Sequence, residues 1–155
     1  GTVTAGTASP LTDGASAVIV CEEEYAKKNN LNILARIKST AVVGCPPELM
    51  GLGPINASKK ALKRANLSIS DIDIVELNEA FASQSLACIK ELNMDISKVN
   101  IHGGAIALGH PLGATGARIT GKVATLLQNN NKKYGLATQC IGLGQGIATV
   151  LENIN

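Results

Sequence analysis

The sequence has few aromatic residues and little charge. Its 155 residues include three aromatics and no tryptophan, and 17% are charged, against a usual charged fraction of about 25%. A net charge of +2 is too small to indicate a nucleic-acid partner, and the basic run at positions 59–64 has no interleaved aromatics for base stacking. We therefore expect an aliphatic core and a surface that is partly covered by another protein segment.

Long apolar runs and paired cysteines are also missing. The longest apolar run, at 17–21, is far too short to span a bilayer, and no secretory signal is visible. The four cysteines form no CxxC pair, and no histidine has zinc-ligand spacing, so no metal site or disulfide framework is predicted. A reducing, cytoplasmic compartment fits best. The chain begins in a Gly/Thr/Ser-rich loop without an initiator methionine, which is typical of a piece of a longer polypeptide.

Predicted strands alternate with predicted helices along the chain. Short apolar runs bounded by turn residues predict strands at 15–21, 33–43, 72–77, 135–140 and 147–152. Helical patterns follow at 22–29, 54–65, 78–93 and 113–127. This alternation predicts α/β layers, and the closing hairpin makes the sheet mixed. By length, residues 1–155 form one domain.

Two reactive side chains stand thirty positions apart among glycines: His110 in GGAIALGHPLGATGAR and Cys140 in QCIGLGQG. Glycine costs conformational entropy on folding, so such clusters indicate turns with positive φ or a close approach of backbone to a ligand. An imidazole titrates near neutrality and serves as a base or as a donor to an oxyanion. The alternative for either motif alone is a tight turn with an incidental His or Cys. For Cys140, the glycines that follow favour a reactive thiol over a buried hydrophobe.

A third motif, NEAFA, lies at 78–82 where a strand gives way to a helix. A helix start offers free N–H groups and positive potential to polar ligand groups. Taken alone, Asn78 is more simply an N-cap. Cys21, Cys45 and Cys88 are interpreted as buried small hydrophobes. A dinucleotide site is rejected, because the glycines after Cys140 lead into a strand and the pattern fails at Ile147.

In this order, the three motifs resemble the carboxyl-terminal half of the thiolase family, over essentially the whole chain. TAVVGCPPELMGLGP and CIGLGQGIATV are most similar to the degradative 3-ketoacyl-CoA thiolases of fatty-acid β-oxidation. The acetoacetyl-CoA thiolases more often carry a glycine where this chain has Leu143. The resemblance implies one five-stranded mixed sheet with helices on both faces. It also implies an acyltransferase that cleaves 3-ketoacyl-CoA with CoA, giving acetyl-CoA and a shortened acyl-CoA.

Family roles pass to the matching positions. His110 would activate the nucleophilic cysteine and donate to one oxyanion hole, and Cys140 would be the acid–base thiol. Asn78 would fix an oxyanion-hole water, and the N–H of Gly142 would serve the second oxyanion hole. Positions that match residues lining the CoA or acyl path are Ala5, Ser9, Met50, Ala80 and Phe81.

The family's nucleophile has no match here, because none of Cys21, Cys45 and Cys88 stands in the corresponding context. The resemblance therefore implies an inactive isolated chain whose partners are the amino-terminal thiolase half, further copies in a homo-oligomer and a β-oxidation multifunctional subunit. CoA enters as a substrate, and no cofactor is expected. The open alternatives are an acetoacetyl-CoA thiolase and a non-catalytic module for acyl-CoA binding or assembly. Condensing enzymes that use acyl carrier protein are disfavoured, because they lack the second reactive cysteine.

Overall fold

The computed structural model describes residues 1–154, in which four strands form one mixed sheet. The strand order is β1-β4-β3-β2. Strand β4 is antiparallel to both β1 and β3, whereas β2 is parallel to β3. The parallel pair requires a long crossover, and the helices after β2 supply it. The strands are β1 Arg36–Gly44, β2 Ile74–Leu77, β3 Tyr134–Ile141 and β4 Gln145–Glu152.

Helices cover both faces of the sheet. They are α1 Glu23–Lys28, α2 Gly53–Ala65, α3 Ala82–Glu91, α4 Ala105–Leu108 and α5 Leu112–Asn129. Short 3₁₀ helices lie at Pro47–Leu52, Ile69–Asp71 and Ile96–Lys98. Successive strand residues enter opposite cores, as the pleat requires: Leu136 packs with the α2 side and Ala137 with the α5 side. The predicted α/β fold with helices on both faces is therefore confirmed.

Helix α2 approaches the β3–β4 hairpin more closely than side chains allow. A Cβ on Gly146 would lie 2.1 Å from the carbonyl carbon of Gly53, and a Cβ on Gly53 would lie 2.4 Å from the Gln145 carbonyl oxygen. Both positions therefore need glycine for steric reasons. This contact anchors the hairpin whose first strand carries Cys140.

The prediction of five strands was wrong, because residues 15–21 join no sheet in the described chain. Val18, Ile19 and Val20 are 45%, 91% and 69% exposed. The segment runs beside α5, where the Ser16 hydroxyl donates to the Ala114 carbonyl. An apolar run becomes a strand only when a strand edge lies next to it. Here β1 and β2 form the two edges, and beyond β2 only Val99 adds a single bridge.

The predicted helix from 78 begins four residues later, at Ala82. The amino-terminal segment holds residues 78–81 out of the helix. The Ala82 amide donates to the Thr7 carbonyl at 2.8 Å, and the Ser9 amide donates to the Ala80 carbonyl at 3.0 Å. NEAFA is therefore mainly a loop between β2 and α3.

Candidate active site

The three motifs meet at one end of the strands. Since β2 and β3 are parallel, their carboxyl ends lie side by side, and α/β proteins place ligands at this end of the sheet. Asn78 follows β2 and donates its amide N–H to the Thr138 carbonyl of β3 at 3.0 Å. Cys140 lies two residues farther along β3. His110 stands just before α5 and contacts Asn78, with its Nε2 3.3 Å from Asn78 Nδ2.

The hydrogen bonds around His110 assign its tautomer. The Thr115 hydroxyl donates to the Pro111 carbonyl at 3.1 Å, so it accepts from His110 Nδ1 at 2.6 Å. The ring proton of the neutral imidazole therefore lies on Nδ1. Asn78 Nδ2 then donates to the Nε2 lone pair. Nε2 is thus the basic nitrogen at this site.

The electrostatic surroundings keep His110 neutral. Burial lowers the pKa of His110, and the Arg118 guanidinium lowers it further. The guanidinium also donates to the Gly109 carbonyl at 2.9 Å. Gly109 has a φ of +90°, and a Cβ there would lie 2.5 Å from the Thr12 hydroxyl oxygen. That hydroxyl accepts the His110 amide N–H at 3.1 Å, so both backbone and ring of His110 are fixed.

Asn78 is not an N-cap, contrary to its simplest interpretation. The N-cap of α3 is Phe81, and the Asn78 side chain points instead to His110. Asn78 is only 2% exposed, yet its Oδ1 has no hydrogen-bond partner among the described residues. A buried amide oxygen of this kind has the capacity to accept from a bound water or ligand.

Cys140 is a buried thiol near the end of β3, where it pairs with Gly146. It is 8% exposed, and burial raises its pKa. At neutral pH it therefore carries its proton, which suits an acid better than a nucleophile.

The remaining cysteines differ in burial. Cys88 is completely buried, and burial raises its pKa to about 11, which confirms it as a small core residue. Cys45 is half-buried. The interpretation of Cys21 as buried was wrong, because that residue is exposed beside the unpaired segment.

The turn after Cys140 spans residues 142–144. No atom lies within 4 Å of a Cβ built on Gly142, so its surroundings are open, as a ligand-facing N–H requires. Leu143 has a φ of +68° and is 93% exposed. It therefore does not pack behind Cys140. Gly144 has a φ of +93°, and a Cβ there would lie 2.4 Å from the Cys45 carbonyl oxygen.

Three of the five candidate CoA or acyl positions come together. The Ser9 hydroxyl donates to the Ala80 carbonyl at 3.4 Å, and a bridge joins Ala8 to Phe81. At these residues the amino-terminal segment contacts the NEAFA loop. Ala5 lies in an exposed turn, and Met50 lies half-buried in the 3₁₀ helix before α2.

Sequence reasoning missed the residues that support His110. Thr115 and Arg118 follow it by five and eight positions in GHPLGATGAR, so both lie on the first turns of α5. The chain's other histidine, His102, is exposed. Across residues 1–154, no three His, Cys, Asp or Glu side chains are grouped to hold a metal ion. No helix in this range is both long and apolar enough to cross a membrane.

Comparison with protein families gives one match, to the thiolase carboxyl-terminal domain, over residues 31–153. Among relatives, a 3-ketoacyl-CoA thiolase of Vibrio parahaemolyticus is 61% identical over 156 positions, which cover 98% of this chain and 40% of that protein. One of Vibrio vulnificus is 60% identical over 155 positions with the same coverage. The chain thus spans about 40% of the length of these relatives.

Solved structures share the fold. Human mitochondrial 3-ketoacyl-CoA thiolase in complex with CoA superposes with a TM-score of 0.97 at 52% identity, over 99% of this chain and 39% of that one. Acetyl-CoA acetyltransferase of Bacillus anthracis gives a TM-score of 0.94 at 45% identity, over 97% and 38%.

Proposed function

The chain belongs to the thiolase family, and from this premise we propose that it supplies the acid–base half of a 3-ketoacyl-CoA thiolase. The observation that carries the proposal is the contact between His110 Nε2 and Asn78 Nδ2 at 3.3 Å. The nucleophilic cysteine would come from the amino-terminal half. We call the assembly of this chain with such a half the two-half enzyme.

The proposed reaction begins at Nε2 of His110. Nε2 accepts the proton of the nucleophilic thiol, displacing the long contact from Asn78, and the thiolate attacks the 3-keto carbon. The resulting imidazolium then donates to the oxyanion, next to a water held by Asn78. Neutral His110 is the form required for the first step, and burial together with Arg118 favours that form.

Cys140 would complete the reaction as an acid and then as a base. When the bond between C2 and C3 breaks, its thiol protonates the acetyl-CoA enolate carbon. The Cys140 thiolate then takes the proton of the incoming CoA thiol, which attacks the acyl-enzyme and releases the shortened acyl-CoA. The nucleophilic cysteine leaves as a thiolate and takes its proton back from the His110 imidazolium. The raised pKa of Cys140 is consistent with an acid that keeps its proton until the enolate forms. A thiol exchanges protons efficiently with a thiol substrate of similar acidity. The N–H of Gly142 would stabilise the enolate oxygen.

Substitution of the two proposed acid–base residues tests the function. In the two-half enzyme, His110→Ala and Cys140→Ala should each lower kcat by about 10²–10⁴-fold, the usual contribution of acid–base groups. The Cys140 variant should still accept an acyl group from an activated thioester, because the nucleophile lies elsewhere. The chain alone should show no thiolysis. Near-normal thiolysis by either variant, or turnover by the purified chain alone, would contradict the roles.

The second candidate, an acetoacetyl-CoA thiolase, is supported by the 45% identity to the Bacillus anthracis enzyme. The two are separated by kcat/KM measured from a four-carbon to a long-chain 3-ketoacyl-CoA. Each methylene that enters an apolar pocket should contribute about 0.8 kcal/mol, so a rising series supports the first candidate and a flat or falling one the second. Homo-oligomerisation and association with a β-oxidation multifunctional subunit stay predictions from the resemblance. A cytoplasmic location stays a prediction from the cysteine pattern.

A further inference from the structure

A small cavity with a few polar groups in its lining lies behind Asn78, on the α5 side of β2. Its volume is about 40 Å³, and its lining includes Glu76, Asn78, Arg118 and Lys122. Glu76 and Asn78 are 3% and 2% exposed. Asn78 Oδ1 is a buried oxygen without a hydrogen-bond partner among the described residues, and Glu76 Oε1 is a buried oxygen whose one cation partner is Lys122. An unpaired buried acceptor beside a cavity indicates a bound donor, because buried acceptors are almost always satisfied.

The charges around the cavity identify this donor as water. Arg118 and Lys122 give the lining two positive charges against one carboxylate, which disfavours a metal cation or ammonium. An anion has no proton to donate to either oxygen. Water donates to both oxygens and accepts from the cations, and a water needs only about 10–15 Å³ of such space.

The same cations hold the glycine loop that presents His110. Lys122 Nζ donates to the Gly103 carbonyl at 3.0 Å and lies 3.2 Å from Glu76 Oε1, as an ion pair without hydrogen-bond geometry. Arg118 donates to the carbonyl of Gly109, the residue before His110, at 2.9 Å. Glu76 is therefore the buried counter-ion between the groups that fix the two ends of this loop.

We propose that Glu76 is a positioning residue for the Asn78–His110 pair, acting through water bound between Glu76 and Asn78 and through Lys122 at the glycine loop. This inference rests on the proposed function, and it adds a support to that site. Burial raises the pKa of Glu76 while Lys122 opposes the rise, so the carboxylate depends on this cation.

The kinetic test is Glu76→Gln in the two-half enzyme, which removes the charge and keeps the shape. We expect kcat to fall about 10-fold, with KM unchanged, because small displacements of acid–base groups slow chemistry rather than binding. Glu152→Gln is the matched control. Glu152 is also a buried strand carboxylate, paired with Lys133 at 3.4 Å and Arg36 at 3.3 Å, but it lies opposite Tyr134, at the far end of the sheet. The Glu152→Gln variant should have a lower thermal unfolding midpoint and an unchanged kcat.

A crystal structure of the unsubstituted two-half enzyme, at a resolution that shows water, tests the inference independently of activity. We expect water within hydrogen-bond distance of Asn78 Oδ1 and of the Glu76 carboxylate. A dry cavity would refute the inference even if Glu76→Gln fails to fold. Unchanged kcat in Glu76→Gln, or an equal loss in Glu152→Gln, would also refute it. If the unsubstituted enzyme binds this water but lacks thiolysis, the proposed function fails while the water site stands.

Discussion

Removal of one hydroxyl group, by Thr115→Val, tests whether the site depends on a single tautomer of His110. Thr115 is fully buried, at 0% exposed. Its hydroxyl oxygen accepts from His110 Nδ1 at 2.6 Å and donates to the Pro111 carbonyl at 3.1 Å. Valine has nearly the same shape, so it deletes these bonds without opening a cavity. A buried donor left without a partner costs about 1–3 kcal/mol.

That free energy sets the size of the expected effect. At about 1.4 kcal/mol per factor of ten in rate, the cost corresponds to roughly 5–150-fold if it appears wholly in the transition state. Because the ring keeps its contact with Asn78, we expect a value in the lower part of this range, about 10-fold in kcat/KM.

The pH profile should also move, and its direction follows from the proton count. Imidazolium carries N–H groups on both nitrogens and needs an acceptor for each. Loss of the Thr115 acceptor therefore destabilises the charged form more than the neutral one. The pKa of His110, already lowered by burial and by Arg118, should fall further. The acid limb of kcat/KM should then shift to lower pH.

The assay is thiolysis by the two-half enzyme over a range of pH, with Thr115→Ser as the control that keeps the hydroxyl. The serine variant should retain most of kcat/KM and the original acid limb. An unchanged rate and profile for Thr115→Val would refute the tautomer assignment. A loss confined to the serine variant would show that packing of the threonine methyl, rather than the hydrogen bond, is responsible.

Three further substitutions, with Gly113→Ala as a control for the first, test the fold around the site. Gly146→Ala would place a Cβ 2.1 Å from the backbone of Gly53 and should lower the free energy of unfolding by about 3 kcal/mol or more. A Cβ on Gly113 would have no atom within 4 Å, so Gly113→Ala should leave the thermal unfolding midpoint almost unchanged. Cys88→Ala should lower the midpoint without changing kcat, and a lost rate at equal stability would contradict this. Leu143→Gly should relieve about 1 kcal/mol of positive-φ strain, largely offset by unfolded-chain entropy. Its acyl-chain preference should match the parent's, because Leu143 is 93% exposed; an altered preference would place the side chain at the substrate.

The strands that could be predicted are those whose own sequence shows that they are buried. Strand β2 reads IVEL and is buried on both sides, and β3 alternates between two cores at Leu136 and Ala137. A continuous apolar run is the pattern of a strand that is buried on both faces. The run at 15–21 has the same composition, yet no strand edge lies beside it in the described chain. The local sequence shows that a segment needs a neighbouring strand to bury its apolar side chains. Whether such a strand lies beside it depends on the tertiary fold, which the local sequence does not show.

The same distinction separates the site residues that were found from those that were missed. His110 and Cys140 stand out because glycines surround them, and the structure gives steric reasons at Gly109 and Gly144. Asn78 was interpreted as an N-cap because its neighbours in sequence favour a helix start. Ala8, which lies seventy-three residues from Phe81 along the chain, forms a β-bridge with Phe81, and helix α3 therefore begins only at Ala82. Thr115 gives no local signal, since a threonine in a first helical turn is ordinary.

The crossover between β2 and β3 explains why His110 and the cations Arg118 and Lys122 lie close together. Two parallel neighbours require the chain to return over one face, and α5 makes that return with His110 just before its first turn. Arg118 and Lys122 are four positions apart on α5, so they share one helix face, and both line the cavity with Glu76 of β2. A shift of α5 along the sheet would therefore displace His110 and its cations together. For this reason a substitution in the α5 core, such as one at Val123, should alter catalysis only when it moves the helix, whereas Glu76→Gln should do so with the helix in place.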